Sequence, residues 1–64
     1  MFEYNYSDNN CYADKDENQL IIKHIIINPE NGEETIKKYY YEIGEMNPTE
    51  LDQFTRTKIQ EIHV

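Results

Sequence analysis

The sequence is poor in the residue types that build covalent cross-links, metal sites and phosphate-binding loops. It has one cysteine, two glycines, two prolines and no tryptophan among 64 residues. A single cysteine excludes an internal disulfide, and Cys11, His24 and His63 show none of the paired spacings, such as CxxC or HxxxH, that are typical of zinc sites. Two glycines cannot form a Gly-rich phosphate loop. We therefore expect no metal and no cofactor.

Basic residues are also scarce. Six Lys and Arg stand against 13 Asp and Glu, which gives a formal net charge of −7, and Lys37 with Lys38 is the only adjacent basic pair. Such a chain repels nucleic acid and anionic membranes and is attracted to basic protein surfaces, which include the DNA-binding grooves of enzymes. Acidity that serves only to keep a small protein soluble is the alternative explanation.

Long apolar runs are missing as well. No segment approaches the ~20 apolar residues of a membrane span, and the N-terminus is polar and acidic rather than basic and then apolar, unlike a signal peptide. The sequence predicts a soluble protein of the cytoplasm. A chain of this size buries only ~60% of its unfolded surface, so we expect oligomerisation to reinforce its core.

Catalytic patterns are absent too. Cys11 has no histidine or other base near it in sequence, and acidic pairs such as Glu33 with Glu34 are expected to be solvated in so small a chain. His24 is interpreted as structural. The sequence predicts a binding protein and not an enzyme.

A β-hairpin is the strongest positive signal. Gln19 to Ile43 consists of two β-rich runs around a Pro-Glu-Asn-Gly turn, and Asn-Gly supplies the positive φ that a tight reversal needs. Its first strand is apolar on both faces, with Leu20, Ile22 and Ile26 on one and Ile21, Ile25 and Ile27 on the other. One face is expected to meet a helix of the chain and the other a partner. In the second strand, three consecutive tyrosines place rings on both sides.

A helix is predicted after this hairpin. Asn47 is a suitable N-cap, Pro48 suits the first helical position, and Glu50 can return to the cap backbone. The sequence allows two C-terminal ends for this helix. In the first, favoured by the β-branched residues, the helix ends at about Arg56 and a closing strand runs from Lys58 to Val64. In the second, a longer helix continues to His63.

The expected architecture is an α+β domain of order β-β-α-β, assembled as a two-fold homodimer. Residues 19–64 form the single domain. Residues 1–18 form a polar arm that is either flexible or adds a strand to the sheet through the alternating Phe2, Tyr4 and Tyr6.

Three short segments carry a resemblance to a known family. Tyr40-Tyr41-Glu42, Thr49-Glu50-Leu51-Asp52 and the apolar end from Ile59 to Val64 resemble the small acidic uracil-DNA glycosylase inhibitors of protein-primed Bacillus phages. The resemblance implies a two-fold dimer that mimics DNA and inhibits host uracil-DNA glycosylase. In that family, acids stand for phosphates and an apolar cleft receives a leucine of the enzyme.

By position, the resemblance makes Glu42 the strand glutamate of the family, Leu51 the helix residue that lines the cleft, and Asp52 the acid beside it. Thr55 departs from the family, which has a tyrosine there. The expected partner-binding residues are Tyr39, Tyr40, Tyr41, Glu42, Leu51, Asp52 and Phe54.

Two classes of function remain. One is a phage-type DNA mimic directed at uracil-DNA glycosylase, or at another DNA-binding enzyme such as a CRISPR nuclease. The other is a small acidic homo-oligomeric interaction or regulatory module resembling an antitoxin.

Overall fold

The computed structural model describes residues 2–63 and shows a small α+β domain. A four-stranded antiparallel sheet is followed by one helix within these residues. The elements are β1 (Asn5–Asp8), β2 (Cys11–Asp16), β3 (Gln19–Ile27), β4 (Glu34–Glu42) and α1 (Pro48–Ile62). The α+β class and the central hairpin, now β3 and β4, are confirmed.

The sheet is a meander in which each strand pairs with the next in sequence. The sequence predicted either a flexible arm or an added strand before residue 19. The structure has two strands there, β1 and β2. Asn9 and Asn10 connect them with φ values of 48° and 63°, a left-handed conformation that asparagine adopts more readily than most residues. The β3–β4 loop is longer, and there Gly32 has a φ of 74°.

The helix begins where the sequence predicts. The Asn47 side chain accepts a hydrogen bond from the Glu50 amide at 2.8 Å, and Pro48 occupies the first turn. Glu50 was expected to accept a hydrogen bond from the backbone of the cap residue. Its carboxylate instead accepts one from the side-chain amide of Asn47 at 2.7 Å. Both contacts fix the start of α1.

The predicted closing strand from Lys58 is wrong, and the alternative of a longer helix is correct. α1 continues to Ile62, and His63 caps it; Val64, like Met1, lies outside the described residues. Leu51, Thr55 and Ile59 recur every four residues and are all buried. Burying this stripe outweighs the few tenths of a kcal/mol that each β-branched residue costs in a helix.

The two faces of the sheet have different environments. Leu20 and Ile22 on β3 are fully buried under α1, where they share a core with Leu51 and Ile59. The rest of that core is Cys11, Ala13 and Ile43. The prediction that a helix covers one face of β3 is confirmed. The opposite face has no covering element within residues 2–63, and a partner on that face stays a prediction.

A transmembrane helix is not found in the part of the chain that the structure describes.

Candidate functional site

The sheet surface opposite α1 is the most exposed apolar region, and we call it the open face. Its apolar members are Tyr12, Ile21, Ile25, Ile27, Ile36 and Tyr40. The exposed fractions are 58% for Tyr40, 57% for Ile36, 53% for Ile27 and 47% for Tyr12. Side chains of this size, contiguous on one surface, mark a binding site more often than scattered exposed residues do.

Acids surround this apolar surface. By strand alternation, Asp14 and Asp16 of β2 and Glu34 and Glu42 of β4 project from the open face. All four are exposed. Between residues 2 and 63, salt bridges engage only two carboxylates, those of Asp52 and Glu61, so the acids of the open face form no salt bridge within the described part of the chain.

Two lysines interrupt the acidic surroundings. Lys23 and Lys38 are direct cross-strand partners on the open face, and like charges placed opposite each other are destabilising. They border a shallow depression of about 610 Å³ whose lining includes Tyr12, Ile21 and Tyr40. The depression therefore offers aromatic contact area beside two cations, and Asp14 also lines it. Neither lysine forms a salt bridge within residues 2–63.

The predicted site residues are divided between the two sides of the sheet. Tyr40 and Glu42 lie on the open face, where Glu42 accepts a hydrogen bond from the Gln19 side chain at 3.1 Å. Tyr39 and Tyr41 point to the other side and pack against the core. The three consecutive tyrosines therefore do not form one surface.

The helix members of the predicted site also lie away from the open face. Leu51 is fully buried in the core, so it is not available to a partner in this conformation. Phe54 makes an edge-to-face contact with Tyr41, with ring centroids 5.7 Å apart. Asp52 accepts hydrogen bonds from the Tyr4 hydroxyl at 3.0 Å and the Arg56 Nε at 2.9 Å. Their positions indicate packing of α1 on the sheet.

Sequence reasoning missed the contribution of β2 to the open face. Tyr12, Asp14 and Asp16 alternate with Cys11 and Ala13, which are buried. This alternation, together with the Asn-Asn turn before it, was the sequence signal that could have predicted β2. It was weak because alanine and cysteine are small and three of the six residues of β2 are charged.

A second group of residues lies at the other side of the sheet, near the end of α1. Cys11, distant in sequence from any base, has its Sγ 3.8 Å from Nε2 of His63. The thiol is fully buried, and burial, followed by the charge of Asp8, raises the pKa of Cys11. A buried thiol with a raised pKa is a poor nucleophile.

Comparison with protein families, curated proteins and solved structures finds no match for this chain.

Proposed function

We propose that the protein is a non-catalytic DNA mimic that binds the basic DNA-binding groove of a uracil-DNA glycosylase through its open face. The observation that carries the proposal is the exposed apolar surface of the open face with carboxylates around it. The resemblance described above supplies the choice of target and places the protein in the cytoplasm of a bacterial host. Nucleic acid and membranes are not partners in this proposal.

Charge and spacing support mimicry. Asp14 and Asp16 are two residues apart on one strand, so their side chains project about 6.6 Å apart. A DNA strand carries closely and regularly spaced phosphates, and this pair presents two negative charges in a regular row of a similar kind. The net charge of −7 favours association with a basic groove.

The apolar part of the open face suits an enzyme that flips bases. Such an enzyme takes its target base out of the stack and reads it in a pocket, and the resemblance implies that it inserts a leucine into the duplex. The depression beside Tyr12 and Tyr40 can receive an apolar side chain of this kind. Lys23 and Lys38 border the same depression and can accept a carboxylate of the partner, which would relieve their mutual repulsion.

This surface differs from the one that the resemblance implied. The helix-lined cleft required an accessible Leu51 and a closing strand, whereas Leu51 is buried and the last segment is helical. Tyr40 and Glu42 remain in the proposed contact surface, together with the residues of β2. Tyr39, Tyr41, Phe54 and Asp52 act indirectly, since they hold α1 against the sheet.

Cleavage of a uracil-containing oligonucleotide by equimolar glycosylase tests the proposal. We expect near-complete inhibition by the unaltered protein. Tyr40→Ala should weaken inhibition by about 2 kcal/mol, because aromatic anchors dominate binding energy. The double variant Asp16→Asn with Glu42→Gln should weaken it more at low salt than at high salt.

A matched control removes the same charge elsewhere. Glu45→Gln with Glu61→Gln changes two exposed acids, one in the loop before α1 and one in the last turn of α1 on the other side of the sheet, and should leave inhibition nearly unaltered. Equal loss in both double variants would mean that only total charge matters. Undiminished cleavage across bacterial and viral glycosylases would refute this target, and retardation of a DNA fragment by the protein alone would refute mimicry.

The same open face favours a second candidate function, a homo-oligomeric interaction module. A second copy of the chain would cover the exposed isoleucines of β3 and β4, as expected for the two-fold homodimer. Under this alternative, blocking the open face abolishes self-association and no DNA-binding enzyme is inhibited. The glycosylase assay separates the two functions. A CRISPR nuclease assayed in the same way tests the remaining DNA-mimic alternative.

A further inference from the structure

Three metal-ligating side chains that are far apart in sequence meet at the end of the sheet below the C-terminus of α1. Cys11 lies on β2, His24 on β3 and His63 at the C-cap of α1. Cys11 and His24 are direct cross-strand partners. Their potential ligand atoms, one from each side chain, all lie within 4.8 Å of one another. The fold therefore brings together three potential ligands whose positions in the sequence give no metal-site spacing.

The spacing of these atoms is close to that of a tetrahedral zinc site. Zinc lies about 2.3 Å from a thiolate sulfur and about 2.0–2.1 Å from an imidazole nitrogen, which separates neighbouring ligand atoms by roughly 3.3–3.6 Å. The Cys11 Sγ to His63 Nε2 distance of 3.8 Å is near this range. Small side-chain rotations therefore suffice to place all three atoms around one ion.

The hydrogen bonding of His63 is suited to a ligand. Its Nδ1 lies 3.0 Å from the Ile59 carbonyl oxygen, and its Nε2 lies 3.0 Å from the Asn9 carbonyl oxygen. A neutral imidazole has one N–H, so it can satisfy only one of these carbonyls. If Nδ1–H donates to Ile59, the Nε2 lone pair faces both the Asn9 oxygen and the Cys11 sulfur. A cation placed there would be coordinated by Nε2 and by the sulfur.

The position of the Ile59 carbonyl resembles the outer shell of known metal sites. A metal-ligating histidine usually donates its other N–H to a carbonyl or carboxylate, which fixes the tautomer and the ring orientation. His63 has this arrangement, because its Nδ1 contact is made to the backbone four residues earlier in its own helix. The ring is therefore already oriented before any ion binds.

The local electrostatics also favour a cation. The last turn of α1 contains no basic residue, so the partial negative charge of the helix C-terminus has no such cation to compensate it there. Asp8, the cross-strand partner of Cys11, adds negative charge next to the thiol.

We propose that Cys11, His24 and His63 bind one thiophilic divalent cation, with Zn²⁺ the best match and a water molecule in the fourth position. A thiolate and two imidazoles select zinc over Mg²⁺ or Ca²⁺, which prefer oxygen ligands. On binding, the sulfur–hydrogen bond of Cys11 breaks, a sulfur–metal bond forms, and the proton passes to solvent. The ion ties β2 and β3 to the end of α1.

Such a site has a clear structural role in a chain this small. Domains of this size often need a metal, a disulfide or a partner to reinforce a limited core. Free energy of metal binding becomes free energy of folding when the unfolded chain lacks the site. The metal site lies apart from the open face, because Cys11 and His24 point to the opposite side of the sheet, so this inference does not depend on the proposed function.

Titration of the untagged, reduced protein with Co²⁺ tests the proposal directly. We expect one cobalt ion per chain and a thiolate-to-cobalt charge-transfer absorption that zinc removes by displacement. Cys11→Ser should eliminate this absorption. His63→Gln and His24→Gln should each weaken zinc binding by more than about tenfold, measured by competition with a chromophoric chelator. Zinc should also raise the thermal midpoint of the unaltered protein.

The control variant is Glu61→Gln, which removes an exposed carboxylate from the last turn of α1 but no proposed ligand; its zinc affinity should be within about twofold of the original. Far-UV circular dichroism verifies that each variant folds. If Cys11→Ser does not fold, His63→Gln replaces it as the test variant, because His63 is exposed. Absence of the charge-transfer absorption in the unaltered protein would overturn the proposal. So would displacement of zinc by excess Mg²⁺, or equal zinc affinity in all variants, because both indicate binding by surface carboxylates.

Discussion

Thr55 is a buried polar residue in the middle of the helix–sheet interface. Its side chain is fully buried, and its hydroxyl oxygen makes no hydrogen bond with any described residue. The Thr55 hydroxyl faces the Tyr4 oxygen closely enough to lower the pKa of Tyr4, but the contact lacks the geometry of a hydrogen bond, and the Tyr4 hydroxyl donates to Asp52. A buried hydroxyl without a partner costs free energy that an apolar side chain of the same shape would not.

We therefore expect Thr55→Val to increase the free energy of unfolding by about 1 kcal/mol. Valine is nearly isosteric and has a similar helix propensity, so the change isolates the hydroxyl. The control is Thr57→Val, since the Thr57 hydroxyl is exposed and donates to the Gln53 carbonyl at 2.9 Å. Urea denaturation measures both. A lower midpoint for Thr55→Val than for the unaltered protein would show that the hydroxyl has a partner.

Tyr4 provides a pH-dependent contribution to stability. Burial, and then Asp52, raise the pKa of Tyr4 above its ordinary value of 10.0. A raised folded-state pKa means that folding favours the protonated hydroxyl, so this contribution is fully present below the unfolded-state pKa and is lost as the pH rises through the folded-state pKa. We expect the free energy of unfolding to fall above pH 10.

Tyr4→Phe should remove this alkaline loss and lower stability at neutral pH by about 1 kcal/mol, because the hydrogen bond to Asp52 disappears. Tyr40→Phe on the open face is the control, and the alkaline loss should persist in it. Denaturant midpoints between pH 7 and pH 11 give the comparison. An unchanged pH profile in Tyr4→Phe would assign the effect to another group.

At the scale of elements, the Asn-Asn turn is a sensitive point of the sheet. Asn10 has a φ of 63°, and its carbonyl accepts a hydrogen bond from the Ile25 amide at 2.9 Å. The turn therefore sets the register of β1 on β2 and also anchors the start of β2 to β3. A side chain that disfavours the left-handed region should loosen all three strands.

Asn10→Ala should lower the free energy of unfolding by about 1 kcal/mol, whereas Asn10→Gly should leave it within about 0.5 kcal/mol. Both variants remove the same amide, so their difference reports the backbone conformation alone. Chemical denaturation supplies the values. Equal stability of the two variants would mean that the turn is not constrained to positive φ.

The hairpin and the helix start were predictable because their signals are local. Alternating β-branched residues define β3 and β4, and the Asn47-Pro48 cap lies within three residues of the contacts it makes. The end of α1 was not predictable in the same way. Propensity favoured a strand after Lys58, but burial of Ile59 against the sheet is a tertiary effect that propensity scales do not include.

The site was less predictable than the fold. Strand alternation correctly separated Tyr40 from Tyr39 and Tyr41, but it did not show which face α1 would cover on β2. The burial of Leu51 depends on that packing. The approach of His63 to Cys11 across 52 residues depends on where the helix ends, so an error in that one boundary concealed the whole Cys–His cluster.

At the scale of the whole molecule, the two sides of the sheet have different roles. The helix side contains the core and the proposed metal ligands, so it governs stability. The open face contains exposed apolar side chains that no described element covers, so under our proposal it governs association. Loss of zinc is therefore expected to change the thermal midpoint more than the affinity for a partner.

The last prediction concerns self-association in the absence of a target. Ile36 is a direct cross-strand neighbour of Ile25 on the open face and is 57% exposed. Pairing of two open faces would remove this apolar surface from water at about 25 cal/mol per Å², so we expect a homodimer at micromolar concentration by light scattering. Ile36→Glu should produce a monomer, because burying an unpaired carboxylate in the interface is costly.

Thr35→Glu is the matched control, since it places the same charge on the adjacent residue of β4, which is exposed on the opposite side of the sheet. This variant should remain dimeric. A monomeric mass for the unaltered protein would exclude the homodimer. Loss of the dimer in both variants would instead place the interface along the edge of β4. Pairing at a strand edge uses the backbone groups, which are the same whichever face a side chain projects from.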